Sequence, residues 1–511
     1  MKTSKKSLAK TYKKIHKWPG LIIAFVLLYY SISGIIMNHR EWFSGIDVSR
    51  KILPENFQYH NWNNGALKGN LTINADSILV FGNIGVWVTD STFEDYRSFN
   101  AGFPKGVDNR KIYDLHRSAD GNIYAATHFG LFAYNSAQAQ WEKFDLDVAI
   151  KRFVAIESVG DTIYALNRSY LFKGESHGTH TRFQKIELQA PFNYRDEVSL
   201  FQTLWQIHSG EIFGLPGKLF VDLLGIVTGF LSLTGIIYFL FPGWIKKRRQ
   251  KSKEVRRLKR LNRWSLKWHN LLGAWTFAGL IILFLSGMFL RPPLLIAIAK
   301  TRIAPVKYTH LQQPNPWYDK LRDLLYDESQ EIFLLSTSKG MYRMTAEDLR
   351  PLPFKIQPPI SVMGINVLEK HEGGAYMVGS FSGLFLWNPS YTRIYNYAQG
   401  SIYHGQSSGR PVGQFKTTGL ISDLEGHQYM IDYDKGALPL YHHKAFPAMP
   451  ANVLAESKMS LWSLSLEIHT GRIFQSWIAN AYILIVPLSG LLAILVVLSG
   501  YLLWRKQYKK K

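Results

Sequence analysis

The sequence predicts a membrane protein of mixed α and β type: four transmembrane helices in two pseudo-symmetric pairs, with two β-rich external segments. Three observations predict it. Four apolar stretches each reach the roughly 20 residues needed to cross a hydrocarbon core. Nearly all the excess positive charge abuts those stretches. The two halves of the chain repeat one plan of helix, external segment and returning helix.

The first apolar stretch runs over residues 18–38, the second over 215–241, the third over 269–290 and the fourth over 477–504. MNHREWF follows the first in place of a small-residue cleavage site, so it is read as an uncleaved anchor. The chain carries 60 Lys+Arg against 37 Asp+Glu, a formal charge of +23. Residues 1–17, 245–263 and 505–511 together hold all but one unit of it. Basic blocks flanking apolar stretches are the positive-inside pattern, and a nucleic-acid binder would instead gather its charge on a folded face. Both termini and a basic loop at 245–268 are therefore expected in the cytoplasm. Residues 40–203 and 292–460 are expected outside, in the periplasm of a bacterial inner-membrane protein. The spanning parts are bounded as 1–39, 204–244, 269–291 and 461–511.

The duplication is visible in motifs. His16-Lys-Trp-Pro-Gly20 matches His269-Asn-Leu-Leu-Gly273, and without a gap Ser33-Gly34 falls on Ser286-Gly287. Ile207-His208-Ser-Gly210 matches Ile468-His469-Thr-Gly471 before the returning helices, which carry Thr234-Gly235 and Ser499-Gly500. Such halves suggest pairing about a pseudo-two-fold axis, with equivalent histidines facing one another. Gly34, Gly225, Gly229, Gly235, Gly287, Gly490 and Gly500 suit close helix packing, or leave room for a flat cofactor.

The external segments read as strands broken by Gly, Asn, Asp and Pro. Residues 77–90, 121–144 and 161–174 form three similar units, and 331–344, 374–395 and 427–441 form three more. Their spacing is in the range of propeller blades, which predicts one six-bladed propeller drawn from both halves; two separate β sandwiches are the alternative. No nucleophile elbow or H-E-x-x-H occurs in them.

Zero cysteine excludes thiolate metal sites, cysteine-ligated clusters and a Cys nucleophile. Histidines remain. His16 and His269 border the helices on the inner side, and His39, His208 and His469 on the outer side. Interfacial histidines are commonly polar end groups, but four of these five come as repeat-related pairs. Two neutral imidazoles on one haem iron make an electron-transferring centre with no open position. His39 has no counterpart, and is either a spare outer ligand or, as preferred here, a surface residue. Trp42, Trp205, Phe213 and Trp462 read as an interfacial belt.

These repeated motifs resemble the PepSY-associated transmembrane family, which includes bacterial inner-membrane ferric-siderophore reductases and related iron-uptake proteins. The resemblance covers the helices and their flanks. It implies one or two b-type haems whose iron is held by His16, His269, His208 and His469, with electrons delivered to a ferric chelate outside. Family members typically carry small α/β modules where this chain has propeller-like repeats, which leaves open whether a chelate or a periplasmic protein docks there. No G-x-G-x-x-G lies between a strand and a helix, so electrons are expected from a quinol or a separate reductase. The alternatives are a membrane-anchored propeller acting as a sensor or scaffold, and a transporter using Asp222 and Arg291.

Overall fold

The computed structural model describes residues 2–192, 194–405 and 412–508; the last three residues of the C-terminal basic block lie outside them. The chain divides into two compact units, each drawn from both halves. One comprises residues 1–43, 196–312 and 461–511, and the other residues 44–195 and 313–460.

In the helical unit, three helices among the described residues are long and apolar enough to cross a membrane: Lys10–Asn38, Glu211–Gln250 and Arg472–Lys506. A fourth candidate is broken. Arg256–Trp275 and Phe277–Met288 meet at a 70° bend, so the straight third span expected over 269–290 is not what forms. The bend falls at Thr276, whose hydroxyl bonds back to the Leu272 carbonyl at 2.8 Å. The expected basic loop is also corrected: only residues 251–255 leave the helix between Gly214–Gln250 and Arg256–Trp275. Lys and Arg are good helix formers, so a charge run of this kind extends a helix as readily as it interrupts one.

Contacts among the helices follow the duplication. The helix Lys2–Asn38 packs on Gly214–Gln250, as Phe277–Met288 packs on Ile485–Tyr508. Short helices, Leu200–Ser209 and Leu461–His469, precede the returning spans and end at the left-handed glycines Gly210 and Gly471. Gly225 and Gly229 admit Ile35 and Ser31 of the first helix, and Gly490 admits Met288. These three serve helix packing.

Among the described residues, the second unit holds six antiparallel sheets of three to five strands, each in sequence order. Their first strands are Gly69–Asn74, Ile112–Arg117, Phe153–Val159, Leu321–Asp327, Ile365–His371 and Thr417–Ser422. Side chains alternate between the faces of a strand, so each sheet feeds two cores. Phe333 and Leu335 pack with Tyr164 and Leu166 of the third sheet, while Leu334 between them packs with Tyr376 and Val378 of the fifth. Six such clusters occur, one for each pair of consecutive sheets and one joining the sixth to the first. Two independent sandwiches are thereby excluded, since the first and sixth sheets come from different halves. The sixth sheet is finished by the first half: the Ala437 amide donates to Asn61 O at 2.9 Å, and the Asn61 side chain donates to Ala437 O at 3.1 Å.

Candidate functional site

The structure brings four of the sequence-predicted histidines together in two pairs. The rings of His16 and His269 have centroids 5.9 Å apart at 76°, and those of His208 and His469 are 6.2 Å apart at 62°. In each pair one histidine comes from each half.

Each imidazole lies on a Ser/Thr-Gly step of the other half. His16 meets Gly500 and His269 meets Gly235; His208 meets Gly287 and His469 meets Gly34. A Cβ on Gly500 or Gly287 would come within 2.6 Å of the histidine Cε1. Space that could have served a flat cofactor is thus taken by the histidine ring itself at these four glycines. The sequence had shown both motifs; that one docks on the other is what it lacked.

Nδ1 is engaged in all four rings. His16 Nδ1 lies 3.0 Å from Val496 O, and His208 Nδ1 3.0 Å from Leu283 O. A carbonyl only accepts, so Nδ1 carries the proton in both. His269 Nδ1 lies 2.9 Å from Thr234 Oγ1, and His469 Nδ1 2.9 Å from Ser33 Oγ. Each hydroxyl spends its single proton on the carbonyl four residues back, Phe230 O at 2.8 Å and Tyr29 O at 2.6 Å. The hydroxyl oxygens are left to accept, which again puts the proton on Nδ1. All four Nε2 lone pairs are therefore free for a metal, and no hydrogen bond engages them among the described residues.

Two imidazoles facing each other across one metal, bound through Nε2 at about 2.0–2.1 Å each, would hold their ring centroids about 6.3 Å apart. The observed 5.9 and 6.2 Å match that span. The steep interplanar angles are compatible with it, because the span does not depend on the angle between the ring planes. The donor set, with neutral imidazoles and no thiolate, suits haem iron. Along the first helix, His16 and Gly34 are separated by about 27 Å at 1.5 Å per residue, close to the thickness of a hydrocarbon core.

His39 departs from expectation. It is neither exposed nor available: it is 8% accessible, its Nε2 is 2.5 Å from Asp222 Oδ2, and its ring stacks on Trp42 at 3.9 Å. Asn38 Nδ2 donates to the other carboxylate oxygen at 3.0 Å. Asp222, the charge that a transporter would use, is thus held within the helical unit. Trp42, Trp205 and Phe213 are exposed, while the Trp462 indole donates to Met37 O at 3.0 Å beneath the Arg40 guanidinium.

The family description "PepSY-associated TM region" matches residues 1–241 and 243–507. The chain belongs to this family. The matched residues of this PepSY-associated protein include both histidine pairs and both parts of the six-sheet unit. No curated protein sequence matches it. Among solved structures, similarity extends to the extracellular domain of the putative hybrid two component system BT4673 from B. thetaiotaomicron. That match has 12% identity and a TM-score of 0.34, covering 76% of this chain and 40% of the other. A protein of unknown function from Bacteroides thetaiotaomicron VPI-5482 matches at 9% identity and TM-score 0.34, covering 77% and 74%. A putative gluconolactonase matches at 10% and 0.32, covering 78% and 99%. The chain spans about two fifths of the length of the first of these.

Proposed function

We propose that this membrane protein is a haem-b electron-transfer oxidoreductase of the bacterial inner membrane, reducing a ferric chelate on the periplasmic side. The observation that carries the proposal is the pairing of four histidines, each across the two halves, at a spacing that fits one metal between each pair. His16 with His269 would hold one haem and His208 with His469 a second. Haem ligated in this way supplies reversible one-electron chemistry with no open position.

The chain's own contribution is to hold the ligands ready. Carbonyl and hydroxyl partners on Nδ1 fix the tautomer and ring orientation, and raise the basicity of Nε2. Glycines beneath the rings set how far each ring projects. With the Lys/Arg-rich segments in the cytoplasm, four spans, the bent pair counting as one, put residues 44–195 and 313–460 outside. We read their six sheets as one six-bladed propeller, a reading supported by inter-sheet cores that run from first to sixth and back to first. Electrons would come from a quinol or a separate reductase. Reduction releases iron because hard oxygen chelators bind Fe²⁺ far less tightly than Fe³⁺.

The test is an absorption spectrum of the detergent-purified full chain, air-oxidised and then dithionite-reduced, with haem counted per chain. Sharp reduced α and Soret bands are expected, with His16→Ala and His269→Ala removing one component and His208→Ala and His469→Ala the other. Colourless folded protein from cells supplied with haem would overturn the proposal.

A further inference from the structure

The six-sheet unit contains a cavity of about 110 Å³ at the end where its first strands begin. Its lining repeats one structural position. Lys68 and Arg152 immediately precede first strands, and Tyr113, Arg322 and Asn366 are each the second residue of one. Arg168 joins them from a turn. Four cations thus line the cavity against a single carboxylate, Asp323.

Not all of these cations are gathered there to pair with acids. Arg168 Nε is 2.8 Å from Asp319, but Arg322 Nη1 donates only to backbone oxygens, those of Asp319 and Leu321, both at 2.9 Å. Among the described residues neither Lys68 nor Arg322 has an ion pair. The Lys68 ammonium and the Arg152 guanidinium lie over the Tyr113 ring, 4.9 and 4.2 Å from its centroid. Burial, and then the charge of Arg152, pushes Lys68 down to about 8. Burial, and then Arg168, pushes Arg322 down to about 9. Crowding like charges in a partly desolvated cavity costs free energy that a bound anion would recover. Asp323 and Asp114 offset part of this at Lys68, whose charged form both favour.

We infer that this cavity binds a small oxyanion, a carboxylate- or phosphate-bearing molecule, between the Arg322 and Arg152 guanidinium groups and the Lys68 ammonium. Guanidinium groups grip such oxygens in pairs, and Lys68 adds a point charge. The inference is independent of haem: it concerns the six-sheet unit alone and is read out by binding heat.

The experiment is calorimetric titration of the full chain in neutral detergent, at low ionic strength, with citrate and separately with inorganic phosphate. Saturable binding of at least one anion at one site per chain is expected, and which one binds identifies the source of the oxygens. Arg322→Gln and Lys68→Gln should each weaken it on the order of tenfold, while Lys51→Gln, which removes the same charge from an exposed position, should leave it unchanged. Thermal unfolding of each variant shows that it is folded, and either pocket variant alone decides the matter. Absence of saturable binding by both anions overturns the inference, as does equal weakening by Lys51→Gln.

Discussion

Replacing each of the four histidine-bearing glycines by alanine separates a structural role from a ligand-positioning one. A Cβ on Gly287 would lie 2.6 Å from His208 Cε1 and 2.9 Å from its Nδ1; on Gly500 it would lie 2.6 Å from His16 Cε1 and 3.0 Å from its Nδ1. Carbon atoms in contact settle at about 3.5–4.0 Å, so these rings must retreat by about 1 Å. Metal–ligand distances tolerate only about 0.2 Å. On Gly34 and Gly235 the same carbon would sit 3.4 and 3.5 Å from the histidine, close to ordinary contact. Helix propensity makes the opposite prediction for stability, since alanine is favoured over glycine by about 1 kcal/mol at any helical position. Gly287→Ala and Gly500→Ala are therefore expected to lose a haem component from the reduced-minus-oxidised spectrum, one from each pair, without loss of fold. Gly34→Ala and Gly235→Ala should keep both. Four indistinguishable spectra, or loss in the second group and not the first, would refute the argument from ring position.

Thr234→Val removes the hydroxyl that meets His269 Nδ1 while keeping its shape; haem should remain, with the potential of that centre shifted by tens of millivolts in a spectroelectrochemical titration. Gly436→Ala should open the junction between the halves, because φ is +81° and a Cβ would fall 1.5 Å from Asn61 O; limited proteolysis near residue 61 should accelerate. The six-sheet unit should lose stability as pH rises from 5 to 8. Burial pushes Asp114 up to about 6, and burial, then Asp114, pushes Glu369 up to about 7. Unfolded carboxyls titrate near 4, so between about pH 4 and 7 the folded chain holds protons that the unfolded chain has released. Raising pH through that window therefore favours unfolding, by on the order of a few kcal/mol, against a smaller opposing share from His116, which burial pushes down to about 4. Asp114→Asn should flatten the dependence, and an unfolding midpoint that climbs from pH 5 to 8 would sink this account.

The strands that the sequence displays and those it hides differ for a physical reason. All six repeat units in the sequence begin at the second strand of a sheet, as Ser77–Gly82 and Ile332–Thr337 show. Those strands are buried on both faces and read as unbroken apolar runs. The first strands carry Asp114, His116, Glu157, Arg322, Asp323 and Glu369, whose polar side chains interrupt the pattern. Of these, Arg322 and Asp323 line the cavity. Pairing of His16 with His269, and of His208 with His469, was legible because the motifs repeat. The bend at Thr276 was not, having no proline to mark it. Nor was the burial of His39, which depends on Asp222, far away in the sequence.

Duplication explains why the glycine partners lie where they do. Within either half, the histidine before the first span and the Ser/Thr-Gly step on the second span never meet; His16 takes its support from Gly500, and His269 from Gly235. The outer pair repeats the exchange, with His208 on Gly287 and His469 on Gly34. A single half therefore carries every component of both sites and completes neither. Two identical halves could do so only with identical sites on the two sides of their axis. Joining them in one chain frees each position to differ: Ser286 Oγ stands 3.5 Å from His208 Nδ1, whereas Ser33 Oγ approaches His469 Nδ1 to 2.9 Å. Unequal hydrogen bonds to the two histidines would adjust the potential of a metal held between them from one side alone, a freedom that a symmetric dimer lacks.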